Sequence, residues 1–186
     1  MSKKVIFSLL IGSILLFAWN AVSWMVLPFH TQSLKNIPPG VISAEIMREA
    51  MPASGVYHYP GYPANFEQAT MDQVETQLKA GPRITMMAYV NRPTRLFEPA
   101  TFGISFFLNV LTVLFTYLLL TRLKSPTFAS VFLACMSLAI ISALLSDMSL
   151  MNWFMFPWGY TLTMVFDKLM SFVLLGLLFG GYTFKS

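Results

Sequence analysis

The chain has 186 residues, of which 56% are hydrophobic and 11% are charged, and its formal net charge is +4. Soluble domains are about 45–50% apolar and about 25% charged, so this composition excludes a disordered tail and argues against a soluble enzyme. The one cysteine, Cys135, excludes a disulfide framework and a cysteine-based zinc site. The composition predicts a small polytopic membrane protein.

The first apolar segment runs from Val5 to Leu27 and follows the basic residues Lys3 and Lys4. A cleaved signal peptide has an apolar region of about 7–15 residues and a small-residue cleavage site. This segment is longer, and its bulky tryptophans leave no such site. We therefore expect an uncleaved transmembrane anchor over residues 1–27, ended by Pro28.

Residues 28–100 follow the anchor, and their pattern predicts a small extracytoplasmic α+β cap. A short helix is predicted over Ile42–Met51, and strands are predicted over Gly55–Tyr59 and Ile84–Val90. A unit of about 70 residues holds only a marginal hydrophobic core. We expect this cap to lean on the helices at its two ends or on a partner.

Between the two predicted strands, the sequence indicates a turn and a second helix. Residues Pro60–Pro63 read Pro-Gly-Tyr-Pro, which is the composition of a turn. Thr70 and Gln73 have the spacing of a capping box, and Gly81 is a typical helix stop. A helix is therefore predicted from Thr70 to Ala80.

Residues 101–186 contain three further apolar segments, each close to the length of about 20 residues that a membrane span requires. They are Phe102–Thr121, Pro126–Ser146 and Trp158–Tyr182. Only residues 122–125 separate the second span from the third, so these two helices are expected to be antiparallel neighbours. The predicted fold class is an all-α membrane protein with four transmembrane helices and a small α+β cap between helices 1 and 2.

Basic residues beside the spans predict that both chain termini are cytoplasmic, because the cytoplasmic side of a membrane protein carries the excess of lysine and arginine. One side has Lys3, Lys4, Arg122, Lys124 and Lys185, and the other has Lys35, Arg92 and Arg95. All four tryptophans fall towards the side with fewer basic residues. The positive net charge reflects this orientation, and it gives no argument for a nucleic-acid partner, which requires a clustered basic face.

The fourth span contains two ionisable residues, Asp167 and Lys168, about nine residues past Trp158, which is roughly 13 Å along a helix. Such residues are costly in a membrane and usually face the interior of the helix bundle. Asp167 shares one helix face with Tyr160, Thr163 and Ser171. Two interpretations are open for this intramembrane polar site. It binds an ion or relays a proton, or Asp167 hydrogen-bonds to neighbouring helices while Lys168 extends outward.

Small residues in the third and fourth spans predict close helix packing, since they let two helix backbones approach each other. In the third span, Ala139 and Ala143 lie at four-residue spacing on the row that leads to Asp147. In the fourth span, Gly176 and Gly180 form a small-xxx-small pair. The sequence leaves open whether the packing partner is within the chain or in another chain.

Common catalytic motifs are absent from this sequence, which has no nucleophile elbow, phosphate loop, HExxH or dinucleotide fingerprint. Met148, Met151 and Met155, together with His30 and His58, would suit Cu(I). Methionine is also a common gap filler in cores, and no tight His/Met motif exists. We therefore predict no enzymatic activity, no metal and no cofactor. The asparagines inside the spans, Asn20 and Asn109, are expected to hydrogen-bond between helices.

Two aromatic stretches, Ala18–His30 and Asn152–Leu162 with Asp167 following, carry a resemblance to a group of proteins. They resemble small bacterial inner-membrane proteins with one N-terminal anchor, an extracytoplasmic segment and three further spans, to which no activity is assigned. The resemblance implies a bacterial inner-membrane location and carries over no catalytic residue. It also implies one outer-face aromatic element, formed by Trp24, His30, Asn152, Trp153 and Trp158, with Pro28 and Pro157 at the membrane surface.

Two expectations for function follow. The first is a non-enzymatic integral membrane protein that acts by association, as an accessory or scaffold subunit of a membrane complex or as a self-associating protein. The lipid bilayer and another protein, or a second copy of the chain, would be its partners. The alternative is a small ion- or proton-coupled transporter or channel component that uses Asp167. We further expect Trp24, Trp153 and Trp158 to form a collar above a polar pocket reached by Asp167.

Overall fold

The computed structural model describes residues 2–61 and 67–184, and the chain is mostly helical. Its internal contacts divide it into two compact units. One unit comprises the chain up to Lys35 together with the chain from Arg95 onward, and the other unit is Asn36–Thr94. Of the predicted features, Tyr62 and Pro63 of the turn and Lys185 of the basic terminus lie outside the described residues.

The helices and strands are numbered here in chain order. They are α1 (Lys3–Met25), α2 (Phe29–Ser33), α3 (Ala44–Ala50), β1 (Gly55–Tyr59), α4 (Gln68–Ala80), β2 (Ile84–Tyr89), α5 (Pro99–Leu120), α6 (Phe128–Ala143), α7 (Ser149–Phe154) and α8 (Trp158–Leu178). A π-helical turn, Leu144–Met148, joins α6 to α7, and a second π-helical turn, Phe179–Thr183, extends α8.

Four segments among the described residues are long and apolar enough to cross a membrane. They are α1, α5, the continuous segment Phe128–Phe154 that contains α6 and α7, and the segment Trp158–Thr183 that contains α8. Their mean hydropathy lies between 1.9 and 2.4, and each exceeds the length of about 20 residues that spans a hydrocarbon core. The prediction of four long apolar helices is confirmed.

The third of these segments is longer than the predicted span, Pro126–Ser146. Pro126 lies just before α6, and the helical segment continues through the π turn to Phe154. The predicted span ended just before Asp147. In the structure the helical segment includes Asp147, which forms an ion pair with Lys168.

The four long segments pack in the order α5, α1, α8, α6. Helix α1 packs against both α5 and α8, and α6 packs chiefly against α8, whereas α5 and α6 make little contact with each other. The prediction that α5 and α6 are neighbours is therefore wrong for most of their length. Their short connection fixes their opposite directions, but the fit between side chains decides which helices pack together.

Two glycines of the last segment explain the close packing of α6 on α8. A Cβ atom at Gly176 would lie 2.8 Å from Cδ2 of Phe132, and a Cβ atom at Gly180 would lie 2.9 Å from Cδ2 of Phe128. Real Cβ atoms do not approach that closely, so the absence of a side chain makes room for the two rings. The partner of this predicted small-residue pair is therefore α6 of the same chain.

The core of the bundle lies in the half that contains the two chain termini. Its fully buried residues come from all four long segments and are Leu16, Val113, Leu120, Val131, Cys135, Leu175 and Phe179. The predicted packing residues Ala139 and Ala143 are buried as well. Ser8 and Ser13 are also buried in this half, and each donates its hydroxyl to a carbonyl of its own helix. The seven fully buried apolar residues given first, from Leu16 to Phe179, are called the apolar layer below.

The second unit combines a two-stranded antiparallel sheet with the short helices α3 and α4. Strand β1 has the predicted bounds, and Gly55 pairs with Tyr89 of β2. The predicted capping box at Thr70 is wrong, because α4 starts two residues earlier with Glu67 as its N-cap and no side-chain capping bond. Within the described part of this unit, only Met51 and Pro60 are buried, which fits the marginal core expected for it.

Candidate functional site

Helix α2 carries a histidine into the bundle at the end of α1. Pro28 has no backbone N–H and so cannot continue the hydrogen bonding of α1. It acts instead as the N-cap residue of α2, and its carbonyl accepts hydrogen bonds from the Thr31 hydroxyl and the Gln32 backbone N–H, both at 3.0 Å. Helix α2 packs against α1 and α8. This placement leaves His30 only 1% exposed.

Three polar side chains from three helices meet there, and we call them the polar cluster. His30 Nε2 lies 2.8 Å from Asp167 Oδ2. The hydroxyl of Ser23, from α1, donates to Asp167 Oδ1 at 2.5 Å and lies 3.1 Å from His30 Nε2. Each carboxylate oxygen of Asp167 therefore has a hydrogen-bond donor from another helix. The polar cluster fastens α8 to both α1 and α2.

The second ring nitrogen of His30 is different. Nδ1 is buried and has no hydrogen-bond partner among the described residues. The indole of Trp24 stacks on the imidazole, with 3.8 Å between ring centroids and 15° between ring planes. Trp24 itself is 48% exposed. The imidazole thus lies between an indole face and a carboxylate, with one nitrogen bonded and one open.

The polar cluster contains serine, histidine and aspartate but does not have the geometry of a hydrolase triad. In such a triad the carboxylate holds Nδ1 and the serine donates to Nε2. Here both Ser23 and Asp167 lie at Nε2 of His30, and the serine proton is directed to the carboxylate. The arrangement therefore does not activate Ser23 as a nucleophile.

Contacts between α1 and α8 locate the polar cluster along the bundle. Thr183 donates to Ser8 at 2.8 Å near one end of these antiparallel helices, and Ser23 meets Asp167 near the other. Ser23 is two residues from the last residue of α1. Asp167 is nine residues from the start of α8, so α8 extends about 10 Å beyond the end of α1. Measured from α1, the cluster lies within the last helical turn, and we call this end of the bundle the α2 end.

Lys168, the other ionisable residue of α8, forms an ion pair with Asp147. Their side chains are 29% and 9% exposed, respectively, and the Ser146 hydroxyl donates to the same carboxylate oxygen at 3.3 Å. Lys168 therefore turns towards the neighbouring helix and does not extend outward. Asp167 thus links one side of α8 to α1 and α2. Lys168 links the other side of α8 to the π turn after α6.

The π turn Leu144–Met148 positions Asp147 for this contact. Residues spaced by four drift around an α-helix of 3.6 residues per turn, so the row from Cys135 through Ala139 and Ala143 would carry Asp147 away from α8. A π turn is wider and reverses part of that drift. Asp147 is buried with the other three residues of the row.

The other predicted members of the intramembrane site do not join the polar cluster. The Thr163 hydroxyl donates to the Gly159 carbonyl at 2.9 Å, and the Ser171 hydroxyl donates to the Asp167 carbonyl at 2.8 Å. Both hydroxyls thus bond to their own helix. The Tyr160 ring packs against the Phe156 ring, with 5.3 Å between their centroids.

The predicted aromatic element is only partly gathered at the polar cluster. Trp24 and His30 are in contact with each other, as described above. Trp153 and Trp158 are 72% and 59% exposed, and Asn152 is exposed beside them. Asp167 is covered by His30 and Ser23 and does not open into a pocket beneath a tryptophan collar.

A groove of about 560 Å³ lies between α1 and α5, next to Trp24. Its lining is mainly apolar and includes Phe17, Trp24, Leu96 and Phe102. Asn20 also lines this groove, and its side-chain N–H donates to Asn109 Oδ1 at 3.4 Å, which confirms the predicted hydrogen bond between helices. Trp24 is thus part of both the groove wall and the cover of His30.

The sequence prediction missed Ser23 and did not pair Lys168 with Asp147. A usable signal existed for the ion pair: Asp147 lies 10 residues before Pro157 and Lys168 lies 11 residues after it. Residues equally distant from a turn face each other in an antiparallel hairpin. Ser23 had no comparable signal, because its contact with Asp167 depends on how α1 packs against α8.

Comparisons with known protein families, characterised proteins and solved structures find no match for this chain. Fold and hydropathy define its class, which is a multi-pass helical membrane protein with a small two-stranded sheet. The resemblance to small bacterial inner-membrane proteins stays a prediction. Within the described residues, no three His, Cys, Asp or Glu side chains come together in a group that could hold a metal ion.

Proposed function

We propose that this protein acts by association within the membrane, as an accessory or scaffold subunit of a larger complex or as a self-associating protein. We place it in a bacterial inner membrane with both termini cytoplasmic, on the basic residues at one end of the spans. The observation that carries the association proposal is the position of α5, which packs chiefly on α1 and makes little contact with α6.

Helix α5 has a long apolar face without a neighbouring helix. Ile104, Leu108, Phe115 and Leu119 lie on this α5 face and are 48–64% exposed. Lipid alone satisfies apolar side chains, but membrane helices gain further stability from close packing with other helices. A helix at the end of the row α5, α1, α8, α6 has room for a second neighbour, and another protein chain would supply it.

Disulfide crosslinking tests the association. The Leu108→Cys variant, in a Cys135→Ala background, should form a covalent adduct when native membranes are oxidised. Leu162→Cys is the matched control, because Leu162, like Leu108, is 55% exposed but lies on α8, which has α1 and α6 as neighbours. An adduct at twice the chain mass indicates self-association, and one defined heavier adduct indicates a partner subunit. Association through the α5 face is refuted if Leu108→Cys gives no more adduct than Leu162→Cys.

The second candidate is a proton- or ion-coupled component that uses Asp167. The observation favouring it is that Asp167 bonds to His30, since His is the side chain whose charge changes near neutral pH. The apolar layer opposes it within one chain, because it places packed side chains between the polar cluster and the terminal end of the bundle. A conducting form would therefore need several chains.

Reconstitution in vesicles separates the two candidates. If the protein carries protons, proton flux through wild-type vesicles should exceed that of protein-free vesicles and fall at least about tenfold with Asp167→Asn. Thr163→Val is the control, since that hydroxyl bonds only to its own helix. Equal flux in all three vesicle preparations excludes the proton-coupled candidate and leaves association as the proposed function.

A further inference from the structure

His30 differs from the other buried polar groups of the bundle in having a titratable nitrogen that is left open. Its side chain is 2% exposed, and Nε2 is engaged by Asp167 and Ser23. Nδ1 has no hydrogen-bond partner among the described residues. With Nε2–H donating to the carboxylate, the neutral ring carries a free lone pair at Nδ1. One further proton can therefore bind without breaking any bond of the cluster.

The charges around His30 favour the added proton. Helix α2 has no other ionisable residue, and the lysines of α1, Lys3 and Lys4, lie at its opposite end. On α8, Asp167 contacts the ring, while Lys168 is paired with Asp147. The polar cluster is thus a buried net anion when His30 is neutral, and it is neutral overall when His30 is charged. An uncompensated buried charge costs more than one unpaired N–H.

The stacked indole of Trp24 also favours the charged form of His30. A cation over an aromatic face is attracted by the negative face of the ring, and tryptophan gives the strongest such contact. Trp24 lies parallel to the imidazole, with 3.8 Å between ring centroids. The apolar layer lies between this place and the terminal end of the bundle. We propose that His30 is a reversible proton-binding site, held by Asp167 and Ser23, near the α2 end of the bundle.

Proton binding would strengthen the attachment of α2. The bond between His30 and Asp167 is a hydrogen bond to a charged acceptor when the ring is neutral, and it becomes an ion pair when the ring is charged. Helix α2 directly precedes the second unit in the chain. The inference does not depend on association or on transport, since it requires only that a proton binds.

Trp24 provides the readout, because a charged imidazole in contact with an indole quenches its fluorescence. The full chain carrying Trp19→Phe, Trp153→Phe and Trp158→Phe keeps Trp24 as its one tryptophan. In detergent, its fluorescence should be at least about twofold lower near pH 5 than near pH 8.5, the range in which histidine changes charge. His58→Gln should leave this change intact, and His30→Gln should abolish it.

A second measurement avoids changes at the cluster. In the His58→Gln chain, ¹⁵N NMR of labelled histidine observes His30 alone. Nδ1 should carry a proton near pH 5 and lose it near pH 8.5. The site is refuted if Nδ1 keeps one protonation state at both pH values, or if the Trp24 fluorescence change persists in a folded His30→Gln chain.

Discussion

Replacing Asp167 with leucine should lower the free energy of unfolding by about 2–6 kcal/mol. The carboxylate accepts one hydrogen bond from Ser23 and one from His30, and each buried donor left without an acceptor costs about 1–3 kcal/mol. Asp167→Asn should cost only about 1 kcal/mol, because the amide keeps one acceptor oxygen and adds a donor. Reversible unfolding in mixed detergent micelles, followed by circular dichroism, measures the difference.

Thr163→Leu is the matched control for this change, since Thr163 lies one turn earlier on α8. Its hydroxyl bonds only to the Gly159 carbonyl, so its loss should change the free energy of unfolding by less than about 0.5 kcal/mol. If Asp167→Leu is as stable as the wild-type chain, Asp167 faces lipid or water and the polar cluster does not form. If both variants lose stability equally, the loss belongs to the helix and not to the cluster.

The sequence predicts the long helices well because hydropathy is a property of each segment by itself. Helix α1 and strand β1 were located from local composition alone, to within two residues. Local composition predicts the structure poorly where a residue far away in the sequence determines the local contacts. Asp147 within the third span is paired with Lys168, which lies 21 residues later in the chain and so outside a local window centred on Asp147.

The polar cluster was predictable only in part for the same reason. Asp167 stands out because a carboxylate inside an apolar segment is costly. The sequence analysis assigned His30 to the aromatic element. Its contact with Asp167 depends on the reversal of the chain at Pro28 and on the packing of α2 against α8. The row Tyr160, Thr163, Ser171 followed helical spacing correctly, yet two of its hydroxyls bond to their own helix. Spacing shows which side chains share a face, but not what that face meets.

Replacing Lys168 with methionine should lower the free energy of unfolding by about 3–5 kcal/mol. Asp147 is 9% exposed at its side chain, and removing one member of a buried ion pair leaves an uncompensated charge. The double variant Lys168→Met with Asp147→Asn should lie within about 1 kcal/mol of the wild-type chain, because replacing both charges removes the desolvation cost along with the attraction. The same micelle unfolding measurement, arranged as a double-mutant cycle, gives the coupling between the two residues.

The exposed pair of α4 provides the comparison for this cycle. Lys79 Nζ lies 2.7 Å from Glu75 Oε1, but these side chains are 75% and 61% exposed, and such pairs contribute less than about 1 kcal/mol. Lys79→Met should therefore leave the free energy of unfolding nearly unchanged. A coupling between Asp147 and Lys168 as small as that of the α4 pair would mean that water reaches both charges. In that case the ion pair would not stabilise the contact between α8 and the π turn, and of the two polar contacts of α8 only the polar cluster would contribute to stability.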